Sequence, residues 1–333
     1  MTGFAEVAGW ERLPDPLKHR DVAAVDVDAA DRVYLFTRYD GQVLVYEPDG
    51  TFVRAWGAGV FTTPHGLTVG PDGRVWCVDA GDHSVRAFTP EGDLRLTLGV
   101  PGTPSDTGYD GAAPVRVHGV ERVRYPGPPF NRCTNLAFGP DGDVYVADGY
   151  GNCRVHRFDP AGRLRGSWGE VGTGPGQFHL PHGIAVAGDG RVLVADREND
   201  RIQVFDPDGG YIEEWTGVRR PCDLAVAADG RVYVAELWRP AGTRSFVDGP
   251  VEQDRPGRVS VLDGGGAVLD RWTGAGFVAP HGIAVDSRGD VYVAEVTYSF
   301  GIRPGRVPAD RAGQQLRKFV RAETAAKGLG HEA

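Results

Sequence analysis

A unit of about forty residues recurs six times along the chain, and this repeat restricts the fold more than any other feature. Each unit contains four short alternating strands separated by turns such as Pro-Asp-Gly, whose glycine can take the positive φ that a tight hairpin needs. The units cover residues 23–57, 65–99, 134–169, 182–215, 222–272 and 281–320. Four strands per unit and six units predict an all-β fold, a six-bladed β-propeller.

Tryptophan positions predict how the ring closes. A tryptophan ends the fourth strand of four units, and Trp10 matches that ending although it precedes the first unit. The sixth unit stops after its third strand, whereas a closed ring has to cover its last sheet edge. We therefore expect the N-terminal segment to supply the missing strand, with one domain over residues 1–322 and a flexible tail over 323–333.

Composition and charge exclude several classes of partner. The chain has 49 Gly, 24 Pro and 41% hydrophobic residues, as expected of a turn-rich β protein. The net charge of −9 comes without a basic patch, so we expect neither a nucleic acid nor an anionic membrane as partner. No signal-like segment opens the sequence, which predicts a cytoplasmic protein. Its oligomeric state is left open.

The four cysteines match no paired zinc motif. Cys133 and Cys153 lie in one unit, and their pairing is left open, although a reducing compartment favours free thiols. Two insertions interrupt the repeat at 100–129 and 238–257, and each is interpreted either as a lid or as tolerated decoration.

Three histidines occupy one position of the repeat. The phrase Pro-His-Gly opens the second, fourth and sixth units and places His65, His182 and His281 in register. Alternate blades of a six-bladed ring are about 120° apart, so the three imidazoles are expected to meet on the axis at one depth. Three neutral imidazoles with a fourth direction free are typical of a catalytic zinc site, although iron, copper or nickel would also suit them. The alternative is three polar side chains that line a wet channel.

Loops after the second strands should open on the same mouth as the histidines, because strands alternate in direction within a blade. Among their residues, Arg38 and Arg197 suit a carboxylate, and Tyr150 between cations and a metal suits a general base. The other blades carry Asp82, His83, Trp238 and Tyr298 at this mouth.

An acidic residue ends the second strand in five units, and we interpret this repeated residue as a structural hydrogen-bond acceptor. The five are Asp79, Asp148, Asp196, Glu236 and Glu295.

Several phrases resemble those of a known family. They are Ala-Asp-Gly-Tyr-Gly-Asn at 147–152, Pro-Gly-Gln-Phe at 175–178, Pro-His-Gly at 181–183, Ala-Asp-Arg-Glu-Asn at 195–199 and Arg-Ile-Gln at 201–203. The six units resemble NHL repeats, and residues 130–205 are similar to the peptidyl-α-hydroxyglycine α-amidating lyase module. The resemblance covers about residues 20–300.

This resemblance implies a site and a reaction. It places zinc on His65, His182 and His281, a base on Tyr150, and substrate-binding arginines on Arg38 and Arg197. The implied substrate is a peptide or small molecule that carries an α-hydroxyglycine, cleaved to an amide and glyoxylate.

The chain also departs from the family at a few positions. Gly282 stands where the family has an aspartate that binds calcium, and only the backbone contributors at Val25 and Leu67 match. Ala279 replaces a methionine, and Gly151 stands at a cysteine position. Calcium and the family disulfides are therefore left open, as is the acyl part of the substrate.

Three functions follow from these patterns. The first is a metal-dependent lyase that cleaves the C–N bond of an N-acyl α-hydroxyglycine. The second is a non-catalytic NHL propeller that binds a protein or a small ligand. The third is a propeller hydrolase similar to lactonases, whose metal sites are rich in carboxylates rather than histidines.

Overall fold

Six four-stranded antiparallel sheets form most of the chain in a computed structural model that describes residues 3–109, 123–273, 276–310 and 315–322. The strands up to the fourth repeat are β1 (Phe4–Val7), β2 (Val22–Val27), β3 (Val33–Thr37), β4 (Val43–Tyr46), β5 (Phe52–Trp56), β6 (Pro64–Val69), β7 (Val75–Asp79), β8 (Ser84–Phe88), β9 (Leu94–Leu98), β10 (Asn135–Phe138), β11 (Val144–Asp148), β12 (Arg154–Phe158), β13 (Leu164–Trp168), β14 (Glu170–Val171) and β15 (Gln177–Phe178).

The remaining strands are β16 (Pro181–Val186), β17 (Val192–Asp196), β18 (Arg201–Phe205), β19 (Tyr211–Trp215), β20 (Pro221–Val226), β21 (Val232–Glu236), β22 (Arg244–Ser245), β23 (Gly249–Pro250), β24 (Arg258–Leu262), β25 (Val268–Trp272), β26 (Pro280–Val285), β27 (Val291–Glu295) and β28 (Leu316–Arg321). A 3₁₀ turn spans Arg197–Asn199 and a π-helix spans Tyr298–Ile302. The first strands of neighbouring blades contact one another in a closed ring, and the sixth blade meets the first. The predicted six-bladed β-propeller is confirmed.

The N-terminal strand closes the ring as predicted. Strand β1 pairs antiparallel with β28, from Phe4 opposite Arg321 to Val7 opposite Lys318, and completes the sixth blade. The Phe4 ring stacks on Trp272 of the fifth blade, with ring centroids 4.7 Å apart. The sixth sheet thereby gains its fourth, outer strand from the N-terminal segment.

Apolar side chains fill the space between neighbouring blades. Val78 and Val85 of the second blade, for example, pack in one cluster with Leu136 and Val146 of the third. Alternation along each strand places every second side chain toward one neighbour, so a central strand of a blade is buried on both faces. This packing fixes the rotation from blade to blade.

The acidic residues at the ends of the second strands are structural acceptors, as predicted. The Asp79 carboxylate accepts hydrogen bonds from the backbone N–H groups of Thr62 and Thr63 at 2.7 and 2.8 Å. Glu295 binds the N–H groups of Val278 and Ala279 in the same way. Asp148, Asp196 and Glu236 each accept one N–H from the corresponding segment. Each acid thus fixes the chain just before a first strand.

The insertion at 238–257 forms the hairpin of β22 and β23. Its Ser245 Oγ donates to Asp200 Oδ2 at 2.9 Å, and Arg239 Nη2 pairs with Asp200 Oδ1 at 2.7 Å. The described parts of the other insertion, 100–109 and 123–129, pack on the third blade, where Thr107 Oγ1 donates to the Gly151 carbonyl at 2.5 Å. In the described residues both insertions are anchored to the propeller.

All four cysteines are buried and free, so the structure contains no Cys133–Cys153 disulfide. The tail expected at 323–333 lies outside the described residues. In the described ranges no helix has the length and apolar character required to cross a membrane.

Candidate metal centre

Three buried histidines converge where the first strands of alternate blades begin. His65, His182 and His281 are the second residues of β6, β16 and β26, and they are 3%, 1% and 5% exposed. One ring nitrogen from each lies within 4.8 Å of the other two. A point between three nitrogens at that separation is at most about 2.8 Å from each, so Zn–N bonds of about 2.0–2.1 Å would require only a small inward shift of the rings.

Backbone carbonyls of the intervening blades orient the imidazoles. The Nδ1 atoms of His65, His182 and His281 lie 2.6, 2.7 and 2.7 Å from the carbonyl oxygens of Thr134, Cys222 and Ala23. A carbonyl oxygen can only accept, so each Nδ1 carries the proton and each Nε2 keeps a free lone pair. A metal-binding histidine commonly donates its other ring N–H to a carbonyl oxygen in this way, which fixes the orientation of the ring. Blades that lack a histidine thus position the histidine of their neighbour.

The environment keeps these imidazoles neutral. Burial is the largest cause that lowers the pKa of all three rings well below the ordinary histidine value. Positive charge on Arg38 acts in the same direction on His65 and His281, and Arg197 does so on His182. A neutral imidazole is the form that binds a metal, so the trio fits a divalent cation without any change of protonation.

Tyr150 borders the space between the histidines. Its hydroxyl lies 3.1 Å from Nε2 of His65 and 3.1 Å from Nε2 of His182. Arg197 Nη1 lies 3.4 Å from the same hydroxyl, and the guanidinium sits over the tyrosine ring at 5.5 Å. The phenol oxygen of Tyr150 is therefore close to two of the histidines and to Arg197.

The two arginines differ in their partners. Arg197 is 5% exposed and its Nε donates to Glu198 at 3.0 Å. Arg38 has no ion pair with a described residue, and its Nε is buried without a hydrogen-bond partner there. The positive charge of Arg38 acts on His65 and His281, which places Arg38 on the same side of the site as these two rings.

Sequence reasoning missed a buried ionic network behind Arg197. Glu198 is fully buried and binds Arg220 Nη2 at 2.8 Å in addition to Arg197, while Arg239 Nη1 lies 3.6 Å away. Burial by itself favours the neutral acid, but Arg220, Arg197 and Arg239 lower the pKa of Glu198 to about 2. Glu198 belongs to the Asp-Arg-Glu-Asn phrase that carries the family resemblance, but the sequence alone assigned it no role.

The other residues expected at the mouth do not contact the histidines in the described structure. Asp82 pairs with Arg86, and the His83 ring accepts a hydrogen bond from the Arg132 backbone N–H at 3.0 Å. Trp238 and Phe300 lie next to each other on the fifth and sixth blades. The Tyr298 ring contacts the Tyr39 ring, with centroids 5.2 Å apart.

A polar pair crosses the channel one residue below the histidine position. Asn135 Nδ2 donates to Asp223 Oδ1 at 2.7 Å, and Asp223 Oδ2 accepts from the Ile283 N–H at 3.1 Å. Three blades are thereby linked across the axis. A cavity of about 550 Å³ opens on the far side of this pair, lined by the remainder of the first strands.

The chain is similar to NHL-repeat proteins and to amidating lyases. The NHL repeat model matches residues 61–88, 130–158 and 178–205. The chain is 31% identical over 310 residues to NHL repeat-containing protein 3 of Homo sapiens, covering 86% of this chain and 80% of that protein. It is 32% identical over 179 residues to peptidyl-alpha-hydroxyglycine alpha-amidating lyase 1 of Drosophila melanogaster, covering 50% of this chain and 29% of that protein.

Among solved structures, a gluconolactonase from Xanthomonas campestris superposes with a TM-score of 0.58 at 15% identity, covering 91% of this chain and 86% of that one. At this identity the likeness shows the fold alone.

Proposed function

Because the chain belongs to the family of NHL repeat-containing protein 3 and is homologous to the amidating lyases, we propose that it is a metal-dependent carbon–nitrogen lyase. The substrate is an N-acyl α-hydroxyglycine, peptidyl or small, and the products are an amide and glyoxylate. The observation that carries this proposal is the convergence of three neutral histidines, one tyrosine and two arginines at one mouth.

His65, His182 and His281 would hold the metal through Nε2. Zinc suits three imidazoles with a free fourth direction, and iron or another divalent metal is compatible with the same ligands. Such a cation lowers the pKa of a bound hydroxyl group and so prepares it for deprotonation. Calcium is not part of the proposal.

Two arginines and one tyrosine bind the substrate and transfer its proton in the proposed reaction. Arg197 and Arg38 hold the substrate carboxylate and thereby orient the α-carbon. Tyr150, whose oxygen lies beside Arg197 and next to two of the histidines, takes the proton of the α-hydroxyl. The electron pair of the O–H bond forms the carbonyl of glyoxylate, the C–N bond breaks, and the proton passes to the amide nitrogen. Atoms and electrons balance without a further reactant.

A non-catalytic binding propeller is the second candidate. It is favoured by one observation, which is that the human relative matched over 86% of this chain is named for its repeats alone. This candidate requires neither stoichiometric metal nor Tyr150.

One set of measurements on zinc-loaded protein distinguishes the lyase from the binding propeller. We expect Tyr150→Phe to lower the kcat for glyoxylate release at least about 100-fold, as for loss of a general base. Tyr298→Phe, a change of the same kind on the rim, is the matched control and should retain activity. Chelation should abolish release and added zinc should restore it.

Elemental analysis provides a readout besides activity. The wild-type protein should retain about one metal ion per chain, and His182→Ala should lose most of it. Protein that binds no metal and releases no glyoxylate from N-acyl α-hydroxyglycines would contradict the lyase and favour the binding propeller.

A further inference from the structure

Blades five and six form an apolar side of the mouth. Cys222 takes the histidine position in the fifth blade and is fully buried. It packs in one cluster whose other members are Leu237, Val278, Ala279 and Val296. Arg220 borders this side as well, because its guanidinium lies over the Phe300 ring at 5.7 Å and its Nη1 donates to the Trp238 carbonyl at 2.9 Å.

Two aromatic rings complete what we call the apolar wall, defined as Trp238, Phe300 and the Cys222 cluster. Both rings are half-buried and pack against that cluster, and their centroids are 6.1 Å apart with planes inclined at 69°. Trp238 follows β21 by two residues, the same offset at which Tyr150 follows β11. Phe300 lies in the π-helix, a rare element that is frequent at functional sites.

The apolar wall begins next to the groups of the proposed reaction. The Arg197 guanidinium lies within hydrogen-bonding reach of the Cys222 thiol. The Cys222 carbonyl accepts the Nδ1 proton of His182 at 2.7 Å. A substrate whose carboxylate is held by Arg197 and whose hydroxyl lies between the histidines is therefore next to the Cys222 end of this wall.

We infer that Trp238 and Phe300 form the subsite for the acyl group, and that the substrate carries an aromatic or large apolar acyl group. This assignment rests on the proposed function, because the carboxylate and the hydroxyl fix the direction in which the acyl group extends. Half-buried aromatic rings beside a polar centre are the usual lining of a small-molecule site. Guanidinium groups of Arg220 and Arg306 lie over the Phe300 ring at 5.7 and 4.9 Å, so the Trp238 indole supplies most of the area on which a ligand ring can pack.

Two unreactive glycine derivatives test the subsite by binding alone. Calorimetry on zinc-loaded protein compares phenylacetylglycine with acetylglycine, which share the carboxylate and the amide. We expect phenylacetylglycine to bind about 10- to 100-fold more tightly, from the burial of one aromatic ring. Trp238→Ala should lower the affinity for phenylacetylglycine about tenfold and change the affinity for acetylglycine less than twofold. Trp238→Phe should keep the preference for phenylacetylglycine.

Phe246→Ala is the matched control, because Phe246 lies on the same insertion but stacks on His179 with centroids 4.6 Å apart. Equal affinities for the two derivatives, or an equal loss of both in Trp238→Ala, would overturn the subsite. Glyoxylate release without any aromatic preference leaves the lyase intact and rejects only the subsite. Aromatic preference without release from the corresponding α-hydroxyglycines supports the apolar wall and rejects the lyase.

Discussion

At the scale of single residues, the site depends on how each reactive side chain is held. Every histidine of the trio has its Nδ1 proton fixed by a carbonyl of the next blade. Arg197 is held differently, by a carboxylate that it shares with Arg220. Glu198 touches neither the histidines nor Tyr150 in the described contacts, so we treat it as a positioning residue for Arg197.

Replacing Glu198 tests this role. Glu198→Gln keeps an acceptor for Arg197 Nε but removes the charge that balances Arg197, Arg220 and Arg239. We expect KM for an α-hydroxyglycine substrate to rise about tenfold, consistent with one weakened charged hydrogen bond, while kcat changes less than about threefold.

Glu214→Gln is the control, because Glu214 pairs with Arg201 at 2.7 Å and contacts neither Arg197 nor Tyr150. A Glu198→Gln variant that melts at a lower temperature but keeps its KM would mean that Glu198 serves the fold only.

At the scale of elements, strand β1 is the part of the chain on which closure depends. It is the outer strand of a blade whose other three strands come from the far end of the sequence. Besides the ladder with β28, it contributes the Phe4 ring to the packing with Trp272 and Phe319 of neighbouring strands. Trp10, just beyond it, is 8% exposed and donates from Nε1 to the Pro48 carbonyl at 3.1 Å.

Deleting residues 1–14 should therefore destabilise the whole propeller. Loss of the buried Trp10 ring, the partly buried Phe4 ring and one strand ladder costs several kcal/mol, since a fully buried aromatic ring alone contributes about 3–5 kcal/mol. We expect the melting temperature to fall by at least about 10 °C.

Phe4→Ala offers a milder version of the same test, with Leu269→Ala on an exposed outer-strand position as its control. An unchanged melting temperature after the deletion would show that the sixth blade is stable with three strands.

The period of the repeat determines which features at this scale can be predicted from the sequence. A fixed position in a repeat becomes a fixed depth and angle in a ring, so the meeting of His65, His182 and His281 was predictable from spacing. The ionic network was not, because Arg220 and Arg239 reach Glu198 through long side chains whose direction depends on local backbone. Arg220 itself has a φ of 41°, which no repeat pattern signals. The π-helix after β27 was also missed, because the repeat pattern does not signal such a local backbone conformation.

At the scale of the whole molecule, the Asn135–Asp223 pair connects blades that share no sheet. Burial is the main cause that raises the pKa of Asp223 to about 7, and backbone hydrogen bonds from Leu224 and Ile283 oppose it. An acid whose pKa is higher in the folded than in the unfolded chain stabilises the fold only while it keeps its proton. The contribution of Asp223 is thus lost as the pH rises through about 7.

Denaturant unfolding at pH 6 and pH 8 measures this contribution. Over that interval the wild-type protein should lose about 1 kcal/mol of unfolding free energy that Asp223→Asn does not lose. Asp26, whose pKa burial raises to about 6, also raises the pKa of Asp223 through its charge, so the difference reports Asp223 together with its coupling to Asp26. The same pH dependence in both proteins would mean that Asp223 is already ionised at pH 6.

The pairing of β1 with β28 also has a consequence for biosynthesis. The ribosome produces β1 before every other strand of the ring and its partner after them, some 300 residues later. At cellular elongation rates this interval is roughly 15–60 s, during which the nascent strand carries unsatisfied backbone groups. Five blades can assemble on the emerging polypeptide, but the last can be completed only after β28 has emerged. Chaperones that shield nascent chains would thus be needed longest at the amino-terminal end.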